Sequence, residues 1–235
     1  FITSENSVFA VFGDIDPHAI IEICNHVFAN LPKGSKTTNP EDENLHPAPS
    51  DMVHYLNKEQ TVVTVGYPGA SITSEDVPAL EVIHEYCSNM AGPLFTRMRE
   101  ELGLAYYVNA TQFHGIGKGL FAFYLGTAPE KATLARKELL TQIERLVQEG
   151  VSEERLSHTK TSVLAADALE NQSNHSMAQM CALNTLFGLG PLHHLTHAEK
   201  IKALSREDIL KVARKYFGVD PFIVRVGPES KRKQG

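Results

Sequence analysis

The sequence predicts an α+β protein with a mixed, mostly antiparallel sheet and helices packed on one face of it. Three observations indicate this class: short alternating segments occur in pairs, longer segments repeat apolar residues every three or four positions, and glycine or proline marks many junctions. Strand pairs followed by several helices favour this layering, because an amphipathic helix must bury its apolar side against another element.

The first elements are predicted from alternation, capping residues and breaks. Three strands are predicted at residues 7–12, 52–56 and 61–67. Asp16 followed by Pro17 is typical of a helix start, and the apolar spacing carries that helix to about residue 30. Between the first helix and the second strand, a polar segment with four prolines is predicted to form a long surface loop at 31–51.

The remaining strands are predicted as a hairpin and a final strand. Residues 106–113 and 120–125 flank a glycine-rich turn, which indicates a hairpin. Residues 222–226 form the last predicted strand. Residues 8–13 and 222–227 have similar sequences, since both are short, mainly apolar and end in glycine. A duplicated sub-unit is therefore a further expectation, and it rests on these two short segments alone.

The later helices are predicted from apolar spacing and from residues suited to helix starts. Capping boxes are predicted at Thr73/Asp76, Thr127/Glu130 and Ser205/Asp208, and Ser152 is predicted to cap a further helix. The helices are predicted to end near residues 90, 102, 150, 170, 187, 204 and 217.

Composition excludes several classes of protein. The chain is 42% hydrophobic and 21% charged, as is usual for a soluble globular protein, and its 235 residues predict one domain over 1–235, or two closely packed sub-units. A formal charge of −6 without a basic stripe argues against nucleic-acid binding, and the short basic run at 231–233 is interpreted as a solvated tail. The sequence contains no stretch of 18 apolar residues, so no membrane span is predicted.

The cysteines and the first residue bear on compartment. Cys24, Cys87 and Cys181 are odd in number and far apart, so buried free thiols are predicted instead of disulfides or a thiolate metal site. The chain starts at Phe1 almost inside a predicted strand, which we interpret as a fragment or a processed chain. The sequence therefore assigns no compartment.

Segment 98–108 carries the main functional candidates. Arg99 lies near the end of a predicted helix, Gly103 ends that helix, and Tyr106 opens the next strand. This break is expected to bring Arg99 and Tyr106 together, and an arginine fork and a phenol suit a peptide carbonyl or a tetrahedral oxyanion. Neighbouring Tyr107 must face the other side of the strand. The pair supplies no nucleophile, base or metal, so it cannot cleave a peptide bond alone.

A structural interpretation of the same segment stays open. Arg97 and Arg99 would then complement the dipole at the helix end, and Gly103 would be an ordinary helix-capping glycine. Tyr106 and Tyr107 would be ordinary strand residues.

Two other motifs lack a residue or a structural setting that their chemistry requires. His84-Glu85 supplies half of a zinc-peptidase helix motif, but Ser88 stands where the second ligand would be needed. The run 115–119 lacks the strand-to-helix setting of a phosphate loop, so a hairpin turn is predicted there.

The densest histidine cluster comprises His193, His194 and His197. His193 and His197 are one helical turn apart with Glu199 nearby, but no glutamate lies between the histidines where a zinc peptidase would need it. A solvated helix face is therefore predicted, and a self-contained hydrolase that uses this cluster is the weakest alternative.

With these residues laid out, the chain resembles the C-terminal, non-zinc half of a pitrilysin-type (insulinase) metallopeptidase, a family that includes the mitochondrial processing peptidases. The resemblance covers nearly the whole chain, and its central segment is the most specific. The matching segments, in the order of the family, are 11–17, 31–34, 93–106, 169–175 and 201–216.

The resemblance implies a division of labour between two similar halves that close around a peptide. The N-terminal half would hold zinc, so no cofactor is expected in this chain, while Arg99 and Tyr106 match the pair that contacts the substrate and its tetrahedral intermediate. The implied partners are that zinc-bearing half, fused or separate, and a peptide substrate; a homodimer is left open. The rival interpretation is a scaffold or assembly subunit of the same fold that binds no peptide.

Overall fold

The computed structural model describes residues 2–35 and 50–229. Two compact units are present, one formed by Phe1–Glu41 with Leu164–Lys200 and the other by Asp42–Val163 with Ile201–Gly235. Most of the predicted loop at 31–51, and the basic run at 231–233, lie outside the described residues.

One five-stranded sheet organises the second unit, with the strand order β1-β5-β2-β4-β3. Its strands are β1 (Asp51–Tyr55), β2 (Thr61–Gly69), β3 (Tyr107–Phe113), β4 (Gly119–Thr127) and β5 (Phe222–Gly227). The β1–β5 pair is parallel and the other pairs are antiparallel, so the predicted mixed, mostly antiparallel sheet is confirmed.

Eight helices are described, and short 3-10 turns at Ser4–Asn6, Pro129–Lys131 and His193–Thr196 accompany them. Their bounds are α1 (Pro17–Val27), α2 (Val77–Ser88), α3 (Pro93–Phe95), α4 (Ala132–Glu149), α5 (Glu153–Glu170), α6 (Asn174–Leu186), α7 (His197–Ala203) and α8 (Arg206–Phe217). A π-helical segment, Thr96–Glu101, continues α3.

The core of the second unit lies between one face of the sheet and helices α2, α4 and α8. Side chains alternate along a strand, and β2 and β4 bury on this face Thr61, Val63, Val65, Tyr67, Phe121, Phe123, Leu125 and Thr127. Rings of Tyr67, Phe121, Phe123 and Phe217 pack there with centroid separations of 4.9 to 6.2 Å. On the opposite face Phe113 and Leu120 are exposed, which confirms the prediction of helices on one side.

The local sequence correctly predicts the starts of three helices. The Asp16 carboxylate accepts the His18 N–H at 2.9 Å at the start of α1. Ser205 and Asp208 form the complete capping box of α8, because each side chain bonds the backbone N–H of the other residue. The Ser152 hydroxyl accepts the Arg155 N–H at 3.4 Å.

Two predicted capping boxes are wrong. α2 begins at Val77 without a side-chain cap from Thr73, although Asp76 precedes the helix. Thr127 is the fully buried last residue of β4, and α4 starts only after the intervening 3-10 turn. The pattern of a hydroxyl residue followed by an acid three positions later does not tell whether the hydroxyl is in a strand or at a helix start.

The predicted strand at 7–12 is also wrong. This segment is not a strand in the structure, whereas its counterpart 222–227 is one. Alternation predicts which way side chains would point, but a strand also needs a hydrogen-bonding neighbour. The sequence likeness between the two segments therefore does not extend to secondary structure.

Candidate functional site

The helix that carries Arg99 changes its winding just before it ends. It starts as α3 and continues as the π-helical segment, with the Leu102 N–H bonded to the Arg97 carbonyl at 3.2 Å. The predicted helix over 94–102 is therefore confirmed, with a wider final turn. Such π turns often occur at functional positions, because they rotate side chains away from regular α-helical places.

One ion pair of Arg97 attaches this π turn to α4, and a second lies within the turn. The Arg97 guanidinium bonds Glu101 at 2.8 Å on its own turn and Glu138 at 2.9 Å on α4. Glu138 also accepts from Gln142, and the hydrogen bond from Arg97 is the main reason why the pKa of Glu138 lies below its usual value. Arg97 therefore has partners within the fold.

The break between helix and strand is held by backbone hydrogen bonds. Gly103 adopts φ +56°, a left-handed conformation that glycine tolerates best. The buried Met98 carbonyl accepts from the N–H groups of Leu104 and Ala105 at 2.8 and 3.2 Å. These bonds define the chain path between the two candidate side chains.

Arg99 and Tyr106 lie on the two sides of this turn, and both are exposed. The Arg99 guanidinium lies 5.1 Å from the centre of the Phe95 ring, a cation–π contact that supports it and leaves its N–H groups available. Tyr106 is 53% exposed, and its backbone N–H bonds the Gly126 carbonyl at 2.8 Å. Within the described part of the chain, neither side chain has a hydrogen-bond or ion-pair partner, including each other.

Tyr107 is directed differently from Tyr106. Its ring covers Gly126 so closely that a side chain at that glycine would collide with it, and it meets the Tyr124 ring edge-on at 6.2 Å. Tyr107 thus belongs to a packed pair on the face of the sheet opposite to α2, α4 and α8. Of the two tyrosines, Tyr106 is the one whose side chain makes no ring contact among the described residues.

The half zinc motif on α2 has a backbone role in this structure. β3 is the outermost strand beyond β4, and the Ala110 carbonyl accepts from His84 Nε2 at 3.2 Å and from the Ser88 hydroxyl at 3.3 Å. The Ala110 N–H in turn donates to Ser88. Burial lowers the pKa of His84, so the imidazole is neutral at pH 7 and its Nε2 carries the donated proton.

His114, which the sequence argument missed, lies next to this α2–β3 contact. Burial, with His84 nearby, lowers the pKa of His114, although a hydrogen bond with the Ala70 backbone opposes this shift. A lone histidine after a predicted strand carries no sequence signal that would have identified it.

The histidine cluster at 193–197 is divided among different partners. His194 Nδ1 lies 4.0 Å from the Cys181 sulfur, and His197 Nε2 lies 2.9 Å from an Asp167 oxygen. The prediction of a solvated helix face is wrong, since all three histidines are half-buried. Across residues 2–35 and 50–229, no three His, Cys, Asp or Glu side chains are grouped so that they could hold a metal ion.

The glycine-rich segment forms the predicted hairpin turn. β3 and β4 pair up to Phe113 and Leu120, and Gly115 bridges to Ser71. Gly119 is required by crowding, because an added Cβ would collide with the carbonyl oxygens of Phe113 and Ala70. This arrangement contains no helix start to receive a phosphate.

The match to a family model assigns this chain to the class of non-zinc, C-terminal halves of pitrilysin-type metallopeptidases. Residues 1–163 match the family described as peptidase M16 inactive domain, and the chain belongs to that family. The predicted resemblance is confirmed. Among the helices described, none is long and apolar enough to cross a membrane.

Curated relatives extend the match over almost the whole chain. An uncharacterized zinc protease of Rickettsia bellii is 26% identical over 97% of this chain and 55% of its own length. The uncharacterized zinc protease YmxG of Bacillus subtilis is 23% identical over 97% of this chain and 55% of its own length. The chain therefore spans about half the length of the curated relatives it matches.

Solved structures agree with this fold. A peptidase M16 inactive domain from Pseudomonas fluorescens superimposes with a TM-score of 0.81 at 20% identity, over 94% of this chain and 53% of that one. A protease from Helicobacter pylori gives a TM-score of 0.80 at 18% identity, over 92% of this chain and 54% of that one.

Proposed function

We propose that this chain is the non-metal half of a zinc-dependent endopeptidase. It binds the peptide substrate and stabilises the tetrahedral intermediate through Arg99 and Tyr106, while zinc is held by an N-terminal half on the same polypeptide or by a partner subunit. The carrying observation is that Arg99 and Tyr106 flank one hydrogen-bonded turn and keep their donor groups without partners among the described residues.

The chemistry follows from the donor types. A guanidinium presents two parallel N–H groups and a phenol presents one O–H, and both bind an oxygen more strongly as negative charge develops on it. A donor that gains strength in the transition state raises the rate of the chemical step more than it tightens substrate binding. The described residues of this chain do not fit a zinc site, since His84 and Ser88 are bonded to strand β3.

The test uses the complete protease, either as one polypeptide or reconstituted from both halves. Arg99→Ala removes a donor and is expected to cost about 3 kcal/mol of transition-state stabilisation, which is about 100-fold in kcat/KM. Arg99→Lys keeps the charge without the fork and is expected to recover part of this loss. Tyr106→Phe is expected to lower kcat/KM in the same direction.

Two controls match these variants in chemistry. Arg145→Ala removes an arginine whose exposed ion pair with Glu149 spans 3.8 Å, and Tyr107→Phe removes the hydroxyl of the adjacent tyrosine. Both should leave kcat/KM unchanged. Unchanged kcat/KM in Arg99→Ala and Tyr106→Phe would refute the proposal. Absence of peptide binding by the complete protein would favour the scaffold role instead.

A further inference from the structure

Two carbonyl groups of the turn between Arg99 and Tyr106 are held by side chains from a distant part of the chain. The Leu104 carbonyl accepts the Thr127 hydroxyl at 2.5 Å. The preceding carbonyl, that of Gly103, accepts the Lys131 ammonium at 2.9 Å. Both donors come from the end of β4 and the 3-10 turn after it, so they reach the turn from one side.

We infer that Thr127 and Lys131 are positioning residues that set the relative placement of Arg99 and Tyr106. This inference rests on the proposed function of that pair. Successive carbonyls of a turn report the orientation of successive peptide planes, and fixing both planes leaves little rotation between the helix end and the strand. Tyr106 follows the Leu104 carbonyl by two residues and is itself fixed through its N–H on Gly126.

The burial of Thr127 supports a directed role for its hydroxyl. Thr127 has no exposed surface, and Leu104 is only 5% exposed. A valine would fill the same volume in a strand, where β-branched residues are favoured. The threonine hydroxyl therefore differs from valine in donating a hydrogen bond to the carbonyl of buried Leu104.

Lys131 contributes in a different way. Its side chain is exposed, and a flexible lysine loses rotamer freedom when it holds a single carbonyl. The charged donor forms a stronger bond to the Gly103 carbonyl than a neutral one would. Its removal should disturb the turn without opening the core.

The test measures kcat and KM of the complete protease separately, because a positioning role should lower kcat and leave KM nearly unchanged. Thr127→Val is expected to lower kcat by about 10- to 100-fold, because small displacements of groups that contact a transition state are costly. KM should change by less than about threefold. Thr127→Ser retains the hydroxyl and should restore most of kcat, and Lys131→Met should lower kcat in the same direction with the fold retained.

Thr159→Val is the matched control for loss of a buried hydroxyl. Thr159 is 8% exposed, and its hydroxyl bonds the Arg155 carbonyl at 2.8 Å within α5. This variant should lose stability and leave kcat unchanged. If Thr127→Val also loses stability with kcat unchanged, Thr127 has a structural role alone and the inference fails.

A double variant and hydrogen exchange separate this inference from the proposed function. The double variant Arg99→Ala/Thr127→Val should have nearly the same kcat as Arg99→Ala alone. Once the Arg99 donor is absent, its displacement by Thr127→Val can have no further effect. If Arg99→Ala alone has no effect, the proposed function fails and exchange decides the inference. Thr127→Val should then accelerate amide exchange at 104–106 by about tenfold or more, with Thr127→Ser unaffected. Unchanged exchange would overturn it.

Discussion

Replacing Gly103 tests whether the turn at the candidate site depends on a left-handed backbone. Gly103 has φ +56°, and a Cβ added there would meet no atom within 4 Å. The cost of Gly103→Ala is therefore conformational, about 1–2 kcal/mol of unfolding free energy for an L residue in this region. Asparagine tolerates this conformation better than alanine, so Gly103→Asn should cost less.

Gly119→Ala supplies the contrast, because the obstacle there is contact with neighbouring atoms. Its Cβ would collide with backbone oxygens of Phe113 and Ala70, which cannot move without distorting the hairpin. We expect a loss of about 3 kcal/mol, larger than at Gly103. The pair of variants distinguishes backbone strain from overlap.

Urea denaturation measures both losses. With a slope of about 2 kcal/mol per molar urea, Gly103→Ala should lower the midpoint by about 0.5–1 M. An unchanged midpoint would show that the turn does not need its positive φ. A loss equal to that of Gly119→Ala would show that the Cβ meets atoms, contrary to the open space described above.

Two further predictions concern the core and the response to acid. Phe217→Ala removes a ring that lies 4.9 to 5.3 Å from three others. It should lower the free energy of unfolding by about 4 kcal/mol, measured by thermal or urea denaturation. A loss under about 1 kcal/mol would contradict that packing. His84 and His114 have pKa values lowered by burial, so the unfolded chain binds more protons. Their contribution is complete above about pH 6.5 and is lost as the pH falls toward the lowered values. The urea midpoint should therefore fall less in His114→Gln than in the parent between about pH 7.5 and 5.5, and equal decreases would refute this assignment.

Where the signal is local, the sequence predicts the structure correctly. The cap of α1 at Asp16 and the capping box of α8 at Ser205 involve residues within three positions of each other. The turn after Arg99 was likewise predicted from its glycine, and the structure places that glycine at a positive φ. Such contacts need no information about the rest of the chain.

Where the partners of a residue are distant along the chain, the sequence predicts the structure wrongly. Residues 7–12 alternate like a strand, but a ladder also needs a neighbour that alternation does not supply. Thr127 matches a helix cap by spacing, yet its hydroxyl bonds a carbonyl 23 residues earlier. Because every residue has a carbonyl, an acceptor of this kind leaves no mark in the sequence.

The contact of His84 and Ser88 with Ala110 has a consequence for self-association. An outermost strand with free backbone groups is a template on which another chain can extend the sheet, and proteins commonly obstruct it. Here the N–H and carbonyl of Ala110 are already bonded to side chains from α2. An incoming strand would have to break these bonds in the middle of β3, so we expect His84 and Ser88 to disfavour edge-to-edge pairing with another chain.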